Sequence, residues 1–378
     1  MSDAHQSRLE ALRAGWLSPL EADRHPGPSG AQGLTEGVDG LLVSTPSNVY
    51  YLSGFHGSAG MIVVTRERAL LCSDFRYRLQ AAKQAPDYEF VEVERGLLKG
   101  VGEYVGRLGV RRLGYESAHL TCQAREQLAA ASGEVELVPV EGAVEQLRAV
   151  KSAEEVAPMR AAAKLADQAV AHMVSLMQPG AKEREIALEG EFLMRWRGAE
   201  AAAFSVIVAS GPNGALPHAE PTDRELQLGD LVVVDIGARV SGYCSDMTRT
   251  FCVGEVLEKG REIYDVVYRA QRAAAAEVRA GAGCRELDAV ARTLITEAGY
   301  GENFGHSLGH GVGIDVHEGP RLAKDVETRL AAGNVVTVEP GIYLAGYGGV
   351  RLEDMVLVTE DGAEILTEYP MAAELPIL

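Results

Sequence analysis

No apolar run in this chain approaches the roughly 20 residues that a bilayer-spanning helix needs. The first twenty residues hold Asp3, Arg8, Glu10 and Arg13 and no unbroken apolar stretch. A secretory signal is therefore not expected, and a cytoplasmic location is. Basic residues are in deficit: 36 Lys and Arg stand against 54 Asp and Glu, a net charge of −18. That balance argues against a nucleic-acid backbone or an anionic membrane surface as partner. Cysteine is sparse. The five, Cys72, Cys122, Cys244, Cys252 and Cys284, are scattered and form no CxxC pair. Neither a disulfide framework nor a thiolate zinc site is expected from them. A phosphate-binding P-loop is missing, and no serine-nucleophile elbow is expected. What remains is an ordinary globular composition, 47% hydrophobic and 24% charged over 378 residues, enough for one large domain or two medium ones.

The pattern divides the chain in two. After a Gly/Pro-rich loop at His25–Gly37, strand and helix periods alternate. Strands are predicted at Val38–Ser44, Met61–Thr65, Ala69–Ser73, Glu89–Val93, Arg112–Tyr115 and Val135–Val140, with a hairpin turn at Arg66-Glu67-Arg68. Helices are predicted at Phe75–Ala85, Leu97–Leu108 and Ala124–Ala131. This is an α/β domain. A long helix follows, opened by a capping pair at Ser152 and Glu155 and stopped by Pro179-Gly180, with Pro158 as a point of kinking or a second start. The boundary is placed just before it, giving domains 1–147 and 148–378. The second domain carries a repeat: Gly-Ala-x-x-Arg-Glu-Ile/Leu begins at Gly180 and again at Gly281, 101 residues apart. A duplication would pack two helix-helix-sheet halves around a shared site.

Carboxylates stand at strand ends in that domain. The apolar run Leu231–Ile236 holds Asp235, and a second strand-like stretch from Cys244 to Val253 holds Asp246. The run Val335–Glu339 closes on Glu339 and Pro340, and the next strand carries Glu353, with Arg351 on the same face by its period of two. A carboxylate ending an apolar strand is costly unless paired or coordinated. Taken singly, each is also what a turn or strand edge would carry. Taken together, the shared context favours convergence. Three histidines, His306, His310 and His317, lie in a glycine-rich stretch where a stable helix is not expected, and His218 follows Leu216-Pro217 in a loop. Four carboxylates and an imidazole in one place would repel and raise one another's pKa values unless cations balanced them. Oxygen-rich ligation with one imidazole suits manganese, cobalt, iron or zinc. Two such ions sharing a hydroxide would attack a carbonyl and stabilise the oxyanion, so metal-assisted amide hydrolysis is the chemistry expected.

The segments "VVVDIGARVSGYCSDMTRTF", "GHSLGHGVGIDVHEGP", "VVTVEPGIY" and "GGVRLEDMVLVT" stand in an order that resembles the pita-bread dinuclear metallopeptidases. That family includes methionine aminopeptidase, prolidase and aminopeptidase P. The resemblance implies an α+β fold, with a C-terminal pita-bread catalytic domain behind an N-terminal creatinase-like α/β domain. It implies Asp235, His310 and Glu339 as terminal metal ligands and Asp246 and Glu353 as bridging ones. His218 and His317 match the histidines that contact substrate and assist proton movement. His306 matches the extra histidine of the proline-specific branch, beside the pocket for the residue after the scissile bond. Arg351 matches an arginine that supports a bridging carboxylate. "YYLSGFHGSAGMIVVTRERALLCSDFRYRLQAAKQA" resembles the N-terminal domain of small prokaryotic aminopeptidases P. The reading that follows is a Xaa-Pro aminopeptidase acting on peptides with proline second, with two divalent ions, manganese first and cobalt or zinc as alternatives. A prolidase restricted to Xaa-Pro dipeptides is the second reading, and a non-catalytic pita-bread binding module the third. A homodimer is implied by resemblance.

Overall fold

The structure is a computed structural model that describes residues 3–17, 37–94, 96–255 and 257–378. Of the predicted loop His25–Gly37, only Gly37 lies within the described residues. The chain forms two compact units, Met1–Arg148 and Ala149–Leu378. Among the described residues, no helix is long and apolar enough to cross a membrane.

The first unit is built on a six-stranded sheet in the order Glu89–Glu92, Ala69–Ser73, Met61–Thr65, Gly40–Val43, Arg112–Glu116 and Glu136–Val140. The three central strands are antiparallel and the outer ones join in parallel. The expected hairpin is present in register, Met61 opposite Cys72. The tract predicted as one helix from Phe75 is a 3-10 turn, Phe75–Tyr77, leading into the helix Arg78–Gln84. The Asp74 side chain accepts from the Arg76 amide and opens that turn. A helix not foreseen, Pro46–Ser53, has proline in its first turn and Gly54 in the left-handed conformation at its end. The helix Asp3–Trp16 was also not foreseen.

The second unit opens with the helix Ala153–Leu176. Its capping box is formed as expected: Ser152 accepts from the Glu155 amide while the Glu155 carboxylate accepts from the Ser152 amide. Pro158 lies inside the helix without a second start. The sequence repeat corresponds to a structural one. Helices Glu183–Trp196 and Cys284–Glu297 begin three residues after Gly180 and Gly281, whose φ values are +89° and +82°. Each glycine amide donates to a strand-like segment downstream, Gly180 to Leu226 and Gly281 to Leu330. Those segments feed the strands Leu231–Ile236 and Val335–Val338. Each strand pairs antiparallel with a partner that brings further site residues, Met247–Cys252 in one half and Asp354–Val358 in the other.

Each half has its own apolar core. Val232, Val234 and Ile236 pack in one, and Val336 and Val338 in the other. Burying a side chain of this size stabilises by roughly 1.5–3 kcal/mol. The alternation therefore fixes register, because a slip of one residue would turn these side chains out of the core. Asp235 and Glu339, at matching places in the two halves, inherit their positions from that packing.

Candidate metal centre

The structure gathers all nine residues singled out in the sequence around one cavity of about 640 Å³ within the second unit. Asp235 sits in the strand Leu231–Ile236, in register with Ile207 on one side and Thr248 on the other. Asp246 precedes the strand Met247–Cys252. His310 lies in the short strand Gly309–Gly311 between two glycines. A Cβ on Gly309 would meet the Thr337 carbonyl oxygen at 2.0 Å, and one on Gly311 the Gly319 carbonyl oxygen at 2.2 Å. Glycine is what lets the flanking strands close on His310. Glu339 follows Val335–Val338, its amide donating to the Leu308 carbonyl. Glu353 links Gly348–Arg351 to Asp354–Val358, its amide donating to the Thr248 carbonyl.

Asp246, His310 and Glu353 each offer a ligand atom, and these atoms lie within 4.8 Å of one another. His310 Nε2 is 3.7 Å from Asp246 Oδ2 and 3.2 Å from Glu339 Oε1. His310 Nδ1 donates to the Gly311 carbonyl at 3.1 Å, which turns Nε2 toward the carboxylates. Thr337 donates to Glu339, and Thr248 donates to Glu353 at 2.7 Å. Asp235 Oδ2 accepts from Arg351 at 2.6 Å, while its Oδ1 is buried with no hydrogen-bond partner among the described residues.

The electrostatics follow from this crowding. Burial, then the charges of Glu353, Asp235 and Glu339, pushes the Asp246 carboxyl well above its usual range. Burial, then Glu339 and Asp235, does the same to Glu353. Asp235 is raised by burial, against the pull of Arg351. Burial also works to raise Glu339, but His310, His306 and Arg351 outweigh it and hold that carboxyl at about 2. Leaving a buried charged acceptor such as Asp235 Oδ1 unpaired costs upward of about 1–3 kcal/mol. Four carboxylates with one imidazole, so few donors and one orphaned oxygen form a donor set that fits divalent cations.

The three predicted substrate-side histidines and Arg351, predicted to support a bridging carboxylate, border the same cavity. His218 and His317 are exposed to it, and the His317 ring lies 4.3 Å from that of His310. His306 donates from Nδ1 to the Ser307 carbonyl and meets the Tyr343 hydroxyl at 3.0 Å through Nε2. Burial holds the His306 imidazole below its usual pKa. Arg351 requires a correction. Its guanidinium holds Asp235, which was assigned a terminal place, rather than Asp246 or Glu353, and it reaches Glu353 only through Thr248. A break in the strand explains this. The single strand expected to carry both Arg351 and Glu353 ends at Arg351 and resumes at Asp354 in another sheet. The period of two therefore does not run through, and Arg351 lies beside Thr250 and the Asp235 strand. It also donates to the Tyr343 hydroxyl at 2.9 Å and to the Pro217 carbonyl at 3.0 Å, next to His218.

Tyr343, Thr248 and Thr337 were not singled out in the sequence, although all three stand inside the family-like segments. Their signal was only a hydroxyl two to four residues from a ligand. Phe204 and Ile207 add an apolar wall to the cavity. The run Gly305-His306-Ser307-Leu308-Gly309 has the letters of a GxSxG elbow. It leads into the strand Gly309–Gly311 rather than a helix, so Ser307 is not presented as an elbow nucleophile.

The model of metallopeptidase family M24 matches residues 157–360, and that of the creatinase/prolidase N-terminal domain matches residues 34–150. A "Xaa-Pro dipeptidase" of Pyrococcus horikoshii is 41% identical over 334 residues, 88% of this chain and 93% of that protein. The solved structure of a "Xaa-Pro dipeptidase from Bacillus anthracis" superposes with a TM-score of 0.91 at 41% identity, covering 99% of this chain and 100% of that one. That of the "X-Pro aminopeptidase from Thermotoga maritima MSB8" gives 0.83 at 36% identity, covering 90% and 98%. The α+β architecture, an N-terminal creatinase-like domain with a C-terminal pita-bread peptidase domain, is as expected.

Proposed function

This chain belongs to metallopeptidase family M24, and on that premise we propose that it is a Xaa-Pro dipeptidase, hydrolysing the bond that precedes proline. The sequence reading put the aminopeptidase first. The order is reversed here because similar proteins of nearly full coverage carry the dipeptidase name. The observation that carries the hydrolytic reading is the convergence of Asp246, His310 and Glu353, with Asp235 and Glu339 on the same cavity wall.

Asp235, Asp246, His310, Glu339 and Glu353 would hold two divalent cations, with manganese the first ion to try and cobalt and zinc after it. Such cations supply Lewis acidity and a water acidified enough to attack at neutral pH. The protein's own groups do the rest. His218 and His317, exposed to the cavity, face the scissile carbonyl, where they orient it and move protons. His306, oriented by the Tyr343 hydroxyl, borders the place of the proline ring. Arg351 ties Asp235 to the Tyr343 hydroxyl and to the Pro217 carbonyl, so one cation orders both the ligand and the substrate side. The expected homodimer belongs to this proposal and is checked by light scattering.

A second reading, removal of the N-terminal residue from longer peptides, is supported by the likeness to the Thermotoga aminopeptidase structure. Turnover of an Xaa-Pro dipeptide and of the matching Xaa-Pro-Xaa tripeptide separates the two. The dipeptidase reading expects kcat/KM at least about tenfold higher on the dipeptide, a difference of about 1.4 kcal/mol. Equal or faster tripeptide turnover would overturn it in favour of the second.

A further inference from the structure

The segment that presents His306 is gripped from behind. On the helix Cys284–Glu297, Asp288 and Arg292 lie one turn apart and form a two-pronged pair: Arg292 Nε donates to Asp288 Oδ2 at 2.7 Å and Nη2 to Oδ1 at 2.8 Å. The Asp288 carboxylate is 1% exposed and also accepts from the Leu308 amide at 3.1 Å. Arg292 donates to the Phe304 carbonyl at 2.9 Å and to the His306 carbonyl at 2.8 Å. Its guanidinium carbon stands 4.3 Å from the centre of the Phe304 ring, and that ring meets the His306 imidazole edge-on at 5.0 Å. Three main-chain atoms of residues 304–308 and one aromatic ring are thus tied to a single ion pair. Neither member of the pair borders the site cavity.

His306 has little else to fix its main chain. Its Nδ1 is spent on the neighbouring Ser307 carbonyl, and a Cβ on Gly305 before it would meet no atom beyond its chain neighbours within 4 Å. We propose that Asp288 and Arg292 are positioning residues that set where His306 meets the proline side of the substrate. This rests on the reading of His306 as a substrate contact. Lysine in place of Arg292 would keep the charge but not the fork that serves a carboxylate and two carbonyls at once.

The test is a double-mutant cycle on the metal-loaded enzyme with an Xaa-Pro dipeptide, using Arg292→Lys and His306→Ala. Arg292→Lys is expected to lower kcat/KM about tenfold, mostly through KM, and to have less than about a twofold effect once His306 is alanine. Asp288→Asn, tried in the same cycle, should show the same dependence on His306 and serves if the first variant folds poorly. The helix opens onto a surface cavity of about 320 Å³ lined by Asp288 and Arg292. Methylguanidine should therefore restore Arg292→Ala and leave His306→Ala unchanged. Equal losses with and without His306 would overturn the inference, as would a silent Arg292→Lys beside an impaired His306→Ala. A silent His306→Ala would instead remove the reading of His306, and the inference with it.

Discussion

Glu183 and Asp246 are both buried carboxylates of the same unit, and their surroundings are opposite. Glu183 is fully buried and accepts hydrogen bonds from the Ser210 amide and hydroxyl, the Asn213 side chain and the Thr222 amide and hydroxyl, all between 2.7 and 3.0 Å. Asp246, 5% exposed, faces Glu353, Asp235 and Glu339, and meets His310 only at 3.7 Å. The contrast recurs between chain neighbours. Asp354 pairs with Arg249 at 2.8 Å and accepts from Gln271 and Thr367, whereas Glu353, pointing the other way, has the Thr248 hydroxyl. A buried carboxylate supplied with donors is a fastener. Buried carboxylates gathered with few donors have stability withheld from them until something cationic arrives, and that is where chemistry is to be sought.

This comparison can be broken at either end. The largest effect is expected from Asp246→Ala or Glu353→Ala, which should lower kcat/KM more than about a hundredfold. The melting temperature of the chelator-treated protein should at the same time hold or rise, because one of several repelling buried charges is gone. Activity assays and thermal melts in chelator check both halves, and a marked loss of stability would place Asp246 with Glu183 after all. Next is Glu183→Ala. It strands the donors on Ser210, Asn213 and Thr222, so urea melts should show a loss of about 3 kcal/mol or more. The folded fraction should keep its turnover, and a catalytic defect at full folding would blur the distinction. The smallest effect is Tyr343→Phe. It deletes the hydroxyl between Arg351 and His306 and leaves the ring, so steady-state kinetics should show kcat/KM down roughly fivefold, about 1 kcal/mol.

The strands Leu231–Ile236 and Val335–Val338 were legible because burial wrote them as apolar runs, and Asp235 and Glu339 because they stand in or just after those runs. The strand Ile207–Ser210 and the glycine-flanked strand of His310 were not foreseen. The halves were legible as a seven-residue repeat because a left-handed glycine must precede both Glu183–Trp196 and Cys284–Glu297. Partner choice was not legible. Whether Arg351 held Asp235 or Glu353 depended on which strand lay beside it, and that is a long-range fact. The same holds for Asp288, whose fourfold spacing to Arg292 looks like any solvated helical ion pair until the Phe304–Leu308 segment folds against it. In the first unit, Pro46–Ser53 was missed although its proline start and Gly54 stop were both in view. Its two adjacent tyrosines, Tyr50 and Tyr51, suited a strand equally well.

The most direct measurement is a manganese titration by isothermal calorimetry on protein freed of metal, run in parallel on the unaltered chain, Asp246→Ala and Glu183→Gln. Two ions per chain are expected for the unaltered chain and for Glu183→Gln, and neither ion at comparable affinity for Asp246→Ala. Unchanged stoichiometry in Asp246→Ala would contradict the assignment of the crowded carboxylates to metal.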